Sequence, residues 1–346
     1  MWYILINISF ITLLYNPKEE IIIKRFNNLI NNIGYDETIF ILNKYTSSET
    51  IIFDSTNLEL CYRYDIPLCF KSLSKTHNIK FLIPKNNRNG WARPRNEGVK
   101  HAKFNNLAFL DEDVIPDKNW IFIVKNFFKN NDGDMIFGSD SKQVSSNFGG
   151  WWRNEFDLLA DRNVIKKKQI ISSNHFIICA GRNMAILKSA FNSVNGYNLR
   201  FNYFMGEDPD LEIRLLLNKK RIIFDPKLIS EHHHNISFVN LIKSFFLSGK
   251  SDANWYKLYS TGELVKYRYL FFNFINHILT FILILLFLIN IYYFLIYLIL
   301  FFVYFYLSLS LNYRKIRFIF FSFGLFPIKM IISTVGFYYE LFRFKK

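Results

Sequence analysis

Three consecutive carboxylates, Asp111, Glu112 and Asp113, directly follow a short apolar run at residues 106–110. Carboxylates are hard oxygen ligands of the kind that hold Mg²⁺ or Mn²⁺ together with a diphosphate. In an extended chain the first and third side chains point to the same side, so Asp111 and Asp113 can act on one bound group while Glu112 turns away. A solvated acidic turn before the next helix is the alternative interpretation.

Upstream of this turn, residues 89–98 form a basic segment with two glycines, two arginines and the start of a helix. Backbone N–H groups at a helix start and the planar donors of arginine both suit a bound diphosphate. The segment is therefore compatible with an anion cradle. A basic loop that leads into a surface helix is the alternative.

Downstream, Glu207 and Asp208 follow a glycine and precede the first turn of an acidic helix. The helix dipole favours acids within a first turn, but a carboxylate just before it could accept a proton from an incoming hydroxyl. Farther along, three consecutive histidines follow Glu231, and one imidazole could bind a metal ion. Adjacent side chains of an extended chain alternate sides, so all three cannot easily share one ion. A chance surface run is an equal alternative for His233 and His234.

These segments are separated by short apolar runs that alternate with helical patterns. Strand-like runs lie at residues 38–42, 79–84, 106–110, 135–138 and 221–224, and helical spacing lies at 17–32 and 91–103. This alternation predicts an α/β fold with a mostly parallel sheet, in which ligands bind beyond the carboxyl ends of the strands. Residues 1–15 are apolar but lack a basic start and a cleavage site, so we interpret them as a buried first strand in preference to a signal anchor.

The composition excludes several classes of protein. Of the 346 residues, 51% are apolar and 19% are aromatic, unlike a disordered tail. The 3 cysteines are too few, and odd in number, for a disulfide-stapled module. The formal net charge is +15, and its excess lies in the apolar C-terminal part, which favours anionic lipid and not nucleic acid as the partner.

The C-terminal part contains a stretch, residues 269–313, without Asp, Glu, Lys or Arg. A helix needs about 20 apolar residues to cross the ~30 Å hydrocarbon core, so this stretch predicts a hairpin of two transmembrane helices. Residues 314–346 are apolar but interrupted, and are expected to form an interfacial, re-entrant or third membrane helix. Basic residues flank both stretches, and the positive-inside rule then predicts a multi-pass membrane protein whose catalytic domain is cytoplasmic.

The order of the motifs resembles the family 2 glycosyltransferases, which are inverting, membrane-associated enzymes with a GT-A fold. The resemblance covers roughly residues 8–234. It is carried by an N-G-x-A-x-x-R-N-x-G helix start, an L-D-E-D turn, a G-R-N-M-A segment, an E-D-P-D-L-E-I-R helix, and Pro226 with a histidine six residues later. It implies a Rossmann-like GT-A catalytic domain at 1–240. An amphipathic juxtamembrane connector at 241–268, the transmembrane hairpin and the last membrane segment complete the predicted organisation.

The resemblance also implies a donor site and a metal site. Arg95, Asn96 and Asp111 match positions that bind the donor nucleotide sugar. Asp111, Asp113 and His232 match the ligands of a divalent metal, Mg²⁺ or Mn²⁺, at the donor diphosphate.

On the acceptor side, the resemblance implies that Asp208 is the catalytic base, with Glu207 beside it. Gly181, Asn183 and Met184 match a loop that faces the acceptor.

Two departures from the family pattern bear on the activity. The segment after the second strand, residues 41–44, lacks the usual acidic pair, which leaves the nucleotide open, and the Q-x-x-R-W signature of processive synthases is absent. We therefore predict a membrane-bound glycosyltransferase that moves one sugar from a nucleotide-sugar donor to a lipid-linked or other glycan acceptor, in cell-surface polysaccharide or glycoconjugate synthesis. The alternatives are a polyprenyl-phosphate sugar synthase and a non-catalytic membrane scaffold that binds nucleotide sugar.

Overall fold

The computed structural model describes residues 6–15, 18–29, 36–45, 47–67, 69–73, 78–85, 90–150, 166–172, 179–201, 205–259, 268–289, 291–292, 295–296, 298–300, 303 and 316–343. The chain divides into two compact units. The first comprises Met1–Tyr203 and Glu207–Ser237, and the second comprises Phe204–Gly206 and Phe238–Lys346.

The described residues of the first unit form one sheet of ten strands. The strands are β1 (Ile8–Leu14), β2 (Glu37–Leu42), β3 (Ile51–Phe53), β4 (Asn78–Ile83), β5 (Asn106–Leu110), β6 (Val114–Pro116), β7 (Met135–Val144), β8 (Gln169–Ile170), β9 (Asn183–Leu187) and β10 (Ile222–His233). Their spatial order is β3-β4-β2-β1-β5-β9-β7-β10-β6, and β8 pairs with β10. Within the apolar N-terminal run, Ile8–Leu14 form a fully buried strand, as predicted, whereas residues 1–5 lie outside the described residues.

The sheet is mixed, which corrects the prediction of a mostly parallel one. Strands β4, β2, β1 and β5 are parallel neighbours, and β7 is parallel to β10. Strand β9 runs antiparallel between β5 and β7, and β3, β6 and β8 are antiparallel to their partners. The predicted parallel half therefore exists, but the later strands enter the sheet in both directions.

Helices cover both faces of this sheet. They are α1 (Glu19–Leu29), α2 (Leu58–Arg63), α3 (Cys69–Leu73), α4 (Ala92–His101), α5 (Trp120–Lys129), α6 (Lys188–Ser193) and α7 (Glu207–Leu217). Because side chains alternate along a strand, β1 contributes to two cores. Ile11 and Leu13 pack in a cluster with α4, α6 and α7, whereas Ile8 and Phe10 pack in a cluster with α5.

The second unit contains the helices α8 (Phe238–Leu258), α9 (Arg268–Ile289) and α10 (Ile316–Phe342). Helices α8 and α10 meet backbone to backbone at two glycines. A Cβ atom on Gly249 would lie 1.7 Å from the carbonyl oxygen of Ser333, and one on Gly336 would lie 2.2 Å from that of Phe246. Neither position has room for a side chain, so the two glycines permit this close crossing.

Polar side chains are buried between the three helices of the second unit. The Nε2 atom of His277 on α9 lies 2.9 Å from Oδ2 of Asp252 on α8. Its Nδ1 atom lies 3.1 Å from Oγ1 of Thr334 on α10. The ring of Phe337 stacks on His277, with centroids 4.6 Å apart. One buried imidazole therefore links all three helices.

Among the residues described, no helix has the length and apolarity required of a membrane span. The predicted transmembrane hairpin at 269–313, part of which lies outside the described residues, therefore receives no support from the structure. In the last predicted membrane segment, α10 is continuous through Pro327.

Candidate active site

The acidic turn lies between β5 and β6, at the carboxyl end of β5, as the sequence predicted. The N–H of Val114 donates to the carbonyl oxygen of Asp111 at 3.1 Å and closes the turn. The side chain of Asp111 accepts a hydrogen bond of 2.9 Å from Arg95 Nη2. Arg95, on α4, is buried, and the turn and the basic segment are thus brought together.

Arg95 also joins the acidic turn to the start of α7. Its Nη1 donates to Glu207 Oε1 at 2.9 Å and lies 4.0 Å from Asp208 Oδ1. The carboxylates of Asp111, Glu207 and Asp208 therefore surround one guanidinium. Asp111 lies more than ninety positions before Glu207 and Asp208 in the chain, and Arg95 is the common partner of all three.

The two carboxyl groups of α7 differ in their surroundings. Burial raises the pKa of Glu207 to about 8, helped by the adjacent Asp208 and opposed by Arg95. Burial also raises the pKa of Asp208, although Arg95 and the N–H of Gly181 oppose it. At neutral pH, therefore, this crowded group favours retention of a proton on Glu207.

Asp208 is held through one of its two oxygens. The N–H of Gly181 donates to Oδ2 at 2.8 Å. Oδ1 is buried and, among the described residues, has no hydrogen-bond partner. Gly181 lies directly against the carboxylate, since a Cβ atom there would be 2.2 Å from Oδ1.

A candidate metal site lies on the other side of the acidic turn. Strands β6 and β10 pair so that Val114 is opposite His232, which brings His232 beside Asp113. His232 Nε2 lies 3.3 Å from Asp113 Oδ2, and His234 Nδ1 lies 3.8 Å from the same oxygen. The three ligand atoms lie within 4.8 Å of one another. A carboxylate and two imidazoles are a donor set that fits a divalent transition ion.

The pKa of the Asp113 carboxyl is set by burial and by its two histidine neighbours. Burial alone would raise the pKa of the Asp113 carboxyl. The neighbouring His232 and His234 outweigh this effect, so the pKa lies well below its ordinary value. The carboxylate is thus ionised, as a metal ligand must be.

The candidate metal ligands differ in part from those that the resemblance implied. Asp113 and His232 lie together as predicted, but Asp111 pairs with Arg95 and is not part of the group of three. His234 takes the third place, whereas His233 lies 2.8 Å from Glu231. The signal for His234 was its spacing: residues two apart in a strand share a side.

Three predicted binding residues have interior contacts. Asn96 accepts from the N–H of Tyr197 and donates to its carbonyl oxygen, each at 2.8 Å, and so fixes a loop. Asn183 and Met184 lie in β9 with no exposed surface, and Asn183 accepts from Trp120 Nε1 at 2.7 Å. This corrects the prediction of an acceptor loop at Asn183 and Met184, because a fully buried side chain cannot contact an acceptor.

Comparison with known proteins gives one family. The model of glycosyl transferase family 2 matches residues 9–194. No curated protein matches the chain.

Solved structures match the chain at low sequence identity. The mannosyltransferase PcManGT from Pyrobaculum calidifontis, in complex with GDP-Man and Mn²⁺, is 12% identical, with a TM-score of 0.59 over 98% of this chain and 88% of that chain. S. aureus TarS 1-349 in complex with UDP is 15% identical, with a TM-score of 0.47 over 76% of this chain and 70% of that chain.

The family match spans more than half of the chain and contains the basic segment, the acidic turn and β9. Three of the five ordered motifs, at 89–98, 110–113 and 181–185, lie inside the match, whereas the helix that carries Asp208 and the segment with His232 lie beyond it. The chain therefore belongs to glycosyl transferase family 2, and it is a nucleotide-sugar-dependent glycosyltransferase.

Proposed function

We propose that the enzyme transfers one sugar from its nucleotide-sugar donor to an acceptor hydroxyl with inversion, and that Asp208 is the general base. The observation that carries this proposal is the state of its two oxygens. Oδ2 is held by the N–H of Gly181 at 2.8 Å, whereas Oδ1 is buried and has no hydrogen-bond partner among the described residues. The Asp208 side chain as a whole is 21% exposed, so its carboxylate can meet the attacking hydroxyl. Oδ1, which the described residues leave without a donor, is the atom suited to accept the proton.

The raised pKa of Asp208 supports this role. Burial is the main cause, and a base whose pKa lies nearer to neutral accepts a proton more readily. Glu207, whose pKa is about 8, remains protonated at neutral pH and therefore adds no second negative charge beside the base. Arg95 contacts both Glu207, which adjoins the proposed base, and Asp111, which we assign to donor binding. It therefore fixes the distance between these two parts of the site.

Asp113, His232 and His234 would hold the divalent metal, and the two imidazole nitrogens favour Mn²⁺ over Mg²⁺. When bound, the ion stabilises the negative charge that develops on the departing nucleoside diphosphate. The mannosyltransferase of similar fold was solved with GDP-Man and Mn²⁺, which supports a donor of this chemical class. Arg95, next to Asp111, would add positive charge on the donor side.

The test is the Asp208→Asn variant in a donor screen. Purified enzyme receives Mn²⁺, a panel of UDP- and GDP-sugars and either native lipid extract or soluble glycans, and nucleoside diphosphate release is measured. We expect kcat to fall by about 10²-fold or more while donor affinity stays within about threefold. Retained turnover would remove Asp208 from this role, and a product with the anomeric configuration of the donor would reject inversion.

We also propose that the second unit holds the enzyme at the cytoplasmic side of a lipid bilayer and that the acceptor is lipid-linked. In support, α9 exposes a set of large apolar side chains: Ile278, Phe281, Ile282, Leu285, Phe287, Leu288 and Ile289. Basic residues flank this part of the sequence and suit anionic head groups. Flotation with vesicles containing phosphatidylglycerol tests the proposal. Protein that stays in the dense fraction would contradict it.

A further inference from the structure

Arg25 is a buried arginine in α1, on the face that otherwise carries apolar side chains. It is 2% exposed, and its neighbours on this face are Ile21, Ile22, Phe26 and Leu29. A charged group is costly to remove from water unless its donors are satisfied. Leucine or methionine would suffice for packing, so the guanidinium has to be explained by the groups that it binds.

The donors of Arg25 are directed to the two ends of the acidic turn. Nε donates to the carbonyl oxygen of Val114 at 3.0 Å, and Nη2 donates to that of Asp111. Nη1 donates to Thr12 Oγ1 on β1 at 3.1 Å. One rigid guanidinium thus joins the first strand to the residues immediately before and after Glu112 and Asp113.

We propose that Arg25 is a positioning residue, which fixes the backbone of the acidic turn so that Asp113 faces His232 and His234 while Asp111 faces Arg95. The inference rests on the metal-dependent transfer proposed above. Because Asp111 and Asp113 have different partners on different sides, a rotation of the turn would lose one partner or the other. The positive charge behind the turn also offsets the mutual repulsion of three consecutive carboxylates.

The pairing of β6 supports this role. Val114, whose carbonyl oxygen accepts from Arg25, is the residue opposite His232 in the sheet. The carbonyl oxygen of Asp113 accepts from the N–H of His233 at 2.8 Å. Arg25 and β10 therefore hold the same short segment from its two sides, and the metal site lies between these attachments.

A second residue of α1 provides a matched control. Asn28 Nδ2 donates to the carbonyl oxygen of Pro116 at 2.9 Å, so it ties the same helix to β6 beyond the turn. Loss of this bond weakens the docking of α1 but leaves both ends of the acidic turn bound. An Asn28→Ala variant therefore separates general destabilisation from misplacement of the turn.

The experiment compares Arg25→Met, Arg25→Lys and Asn28→Ala in the full chain. Free Mn²⁺ is measured by electron paramagnetic resonance during a MnCl₂ titration, and thermal unfolding is recorded for each variant. We expect Arg25→Met to raise the Kd for Mn²⁺ about tenfold or more, and Asn28→Ala to leave it within about twofold. Arg25→Lys keeps the charge but not the planar fork, so its Kd should rise about fivefold. In turnover, we expect the KM for Mn²⁺ to rise more than kcat falls.

A folded Arg25→Met protein with the wild-type Kd would overturn the inference, as would an equal effect of Asn28→Ala. If Arg25→Met does not fold, a wild-type Kd in Arg25→Lys overturns it. The Asp113→Ala variant distinguishes an error in the role of Arg25 from an error in the proposed metal site. If Asp113→Ala abolishes Mn²⁺ binding and Arg25 variants do not weaken it, only the role of Arg25 is wrong. If wild type binds no Mn²⁺, the proposed metal site and the role of Arg25 are both wrong.

Discussion

Substitution of Gly181 by alanine tests the position of the proposed base without removing it. A Cβ atom on Gly181 would lie 2.2 Å from Asp208 Oδ1, 2.8 Å from Cγ and 3.0 Å from Oδ2. Ordinary contact begins near 3.4 Å. The carboxylate must therefore move by about 1 Å, because it is the movable partner at the end of a side chain.

A displacement of this size should act on chemistry more than on folding. Misplacement of a reacting group by about 1 Å can cost about 10²-fold in rate, which corresponds to about 2.7 kcal/mol of activation free energy. We expect kcat to fall by that factor in the Gly181→Ala variant. The donor side is formed by Arg95 and Asp111, so the KM for the nucleotide sugar should stay within about threefold.

The assay is steady-state nucleoside diphosphate release, with thermal unfolding as a control for folding. A double-mutant cycle makes the test specific, since groups that act through one another are not additive. In the Asp208→Asn background, Gly181→Ala should cause no further loss of kcat. A Gly181→Ala enzyme with more than about half of the wild-type kcat would refute the reasoning, as would a further large loss in the double variant.

Two other predictions concern the metal site and a buried carboxyl. His232→Ala and His234→Ala should each weaken Mn²⁺ binding about tenfold or more. His233→Ala, whose imidazole lies 2.8 Å from Glu231, should not; equal affinities in a Mn²⁺ titration would contradict this. Burial raises the pKa of Glu212 from 4.5 to about 7. The contribution of its protonated carboxyl to the free energy of unfolding is therefore fully present below about pH 4.5. It is lost as the pH rises through 7. Relative to Glu212→Gln, the wild type should lose roughly 3 kcal/mol over this window, visible as diverging Tm profiles; parallel profiles would refute it.

The parts of the fold with local signals could be predicted from the sequence. The runs at β1, β2, β4 and β5 are mostly apolar, as buried parallel strands are. The carboxyl ends of such strands lie at one edge, and Asp111 could therefore be placed near the basic segment. Asp208 was singled out from its position at a helix start and from the family resemblance, but its approach to Arg95 was not predicted.

What could not be predicted depends on pairing between distant segments. Nothing in residues 183–187 indicates that β9 enters antiparallel between β5 and β7, and this insertion is what buries Asn183 and Met184. The third metal ligand, His234, depends on how β10 faces Asp113. Arg25 was missed for a similar reason, since its acceptors are carbonyl groups nearly ninety residues away, and main-chain acceptors leave no mark on the sequence.

The crossing of α8 and α10 has a consequence for biosynthesis. Gly249 is translated long before Ser333 and Phe337, against whose backbone it packs. Until residues 333–337 have been synthesised, Gly249 of α8 lacks the backbone against which it packs, and His277 lacks its contact with Thr334. Premature termination before residue 333 would therefore leave both contacts unmade, and a nascent chain of that length offers quality-control proteases an incompletely assembled helical unit.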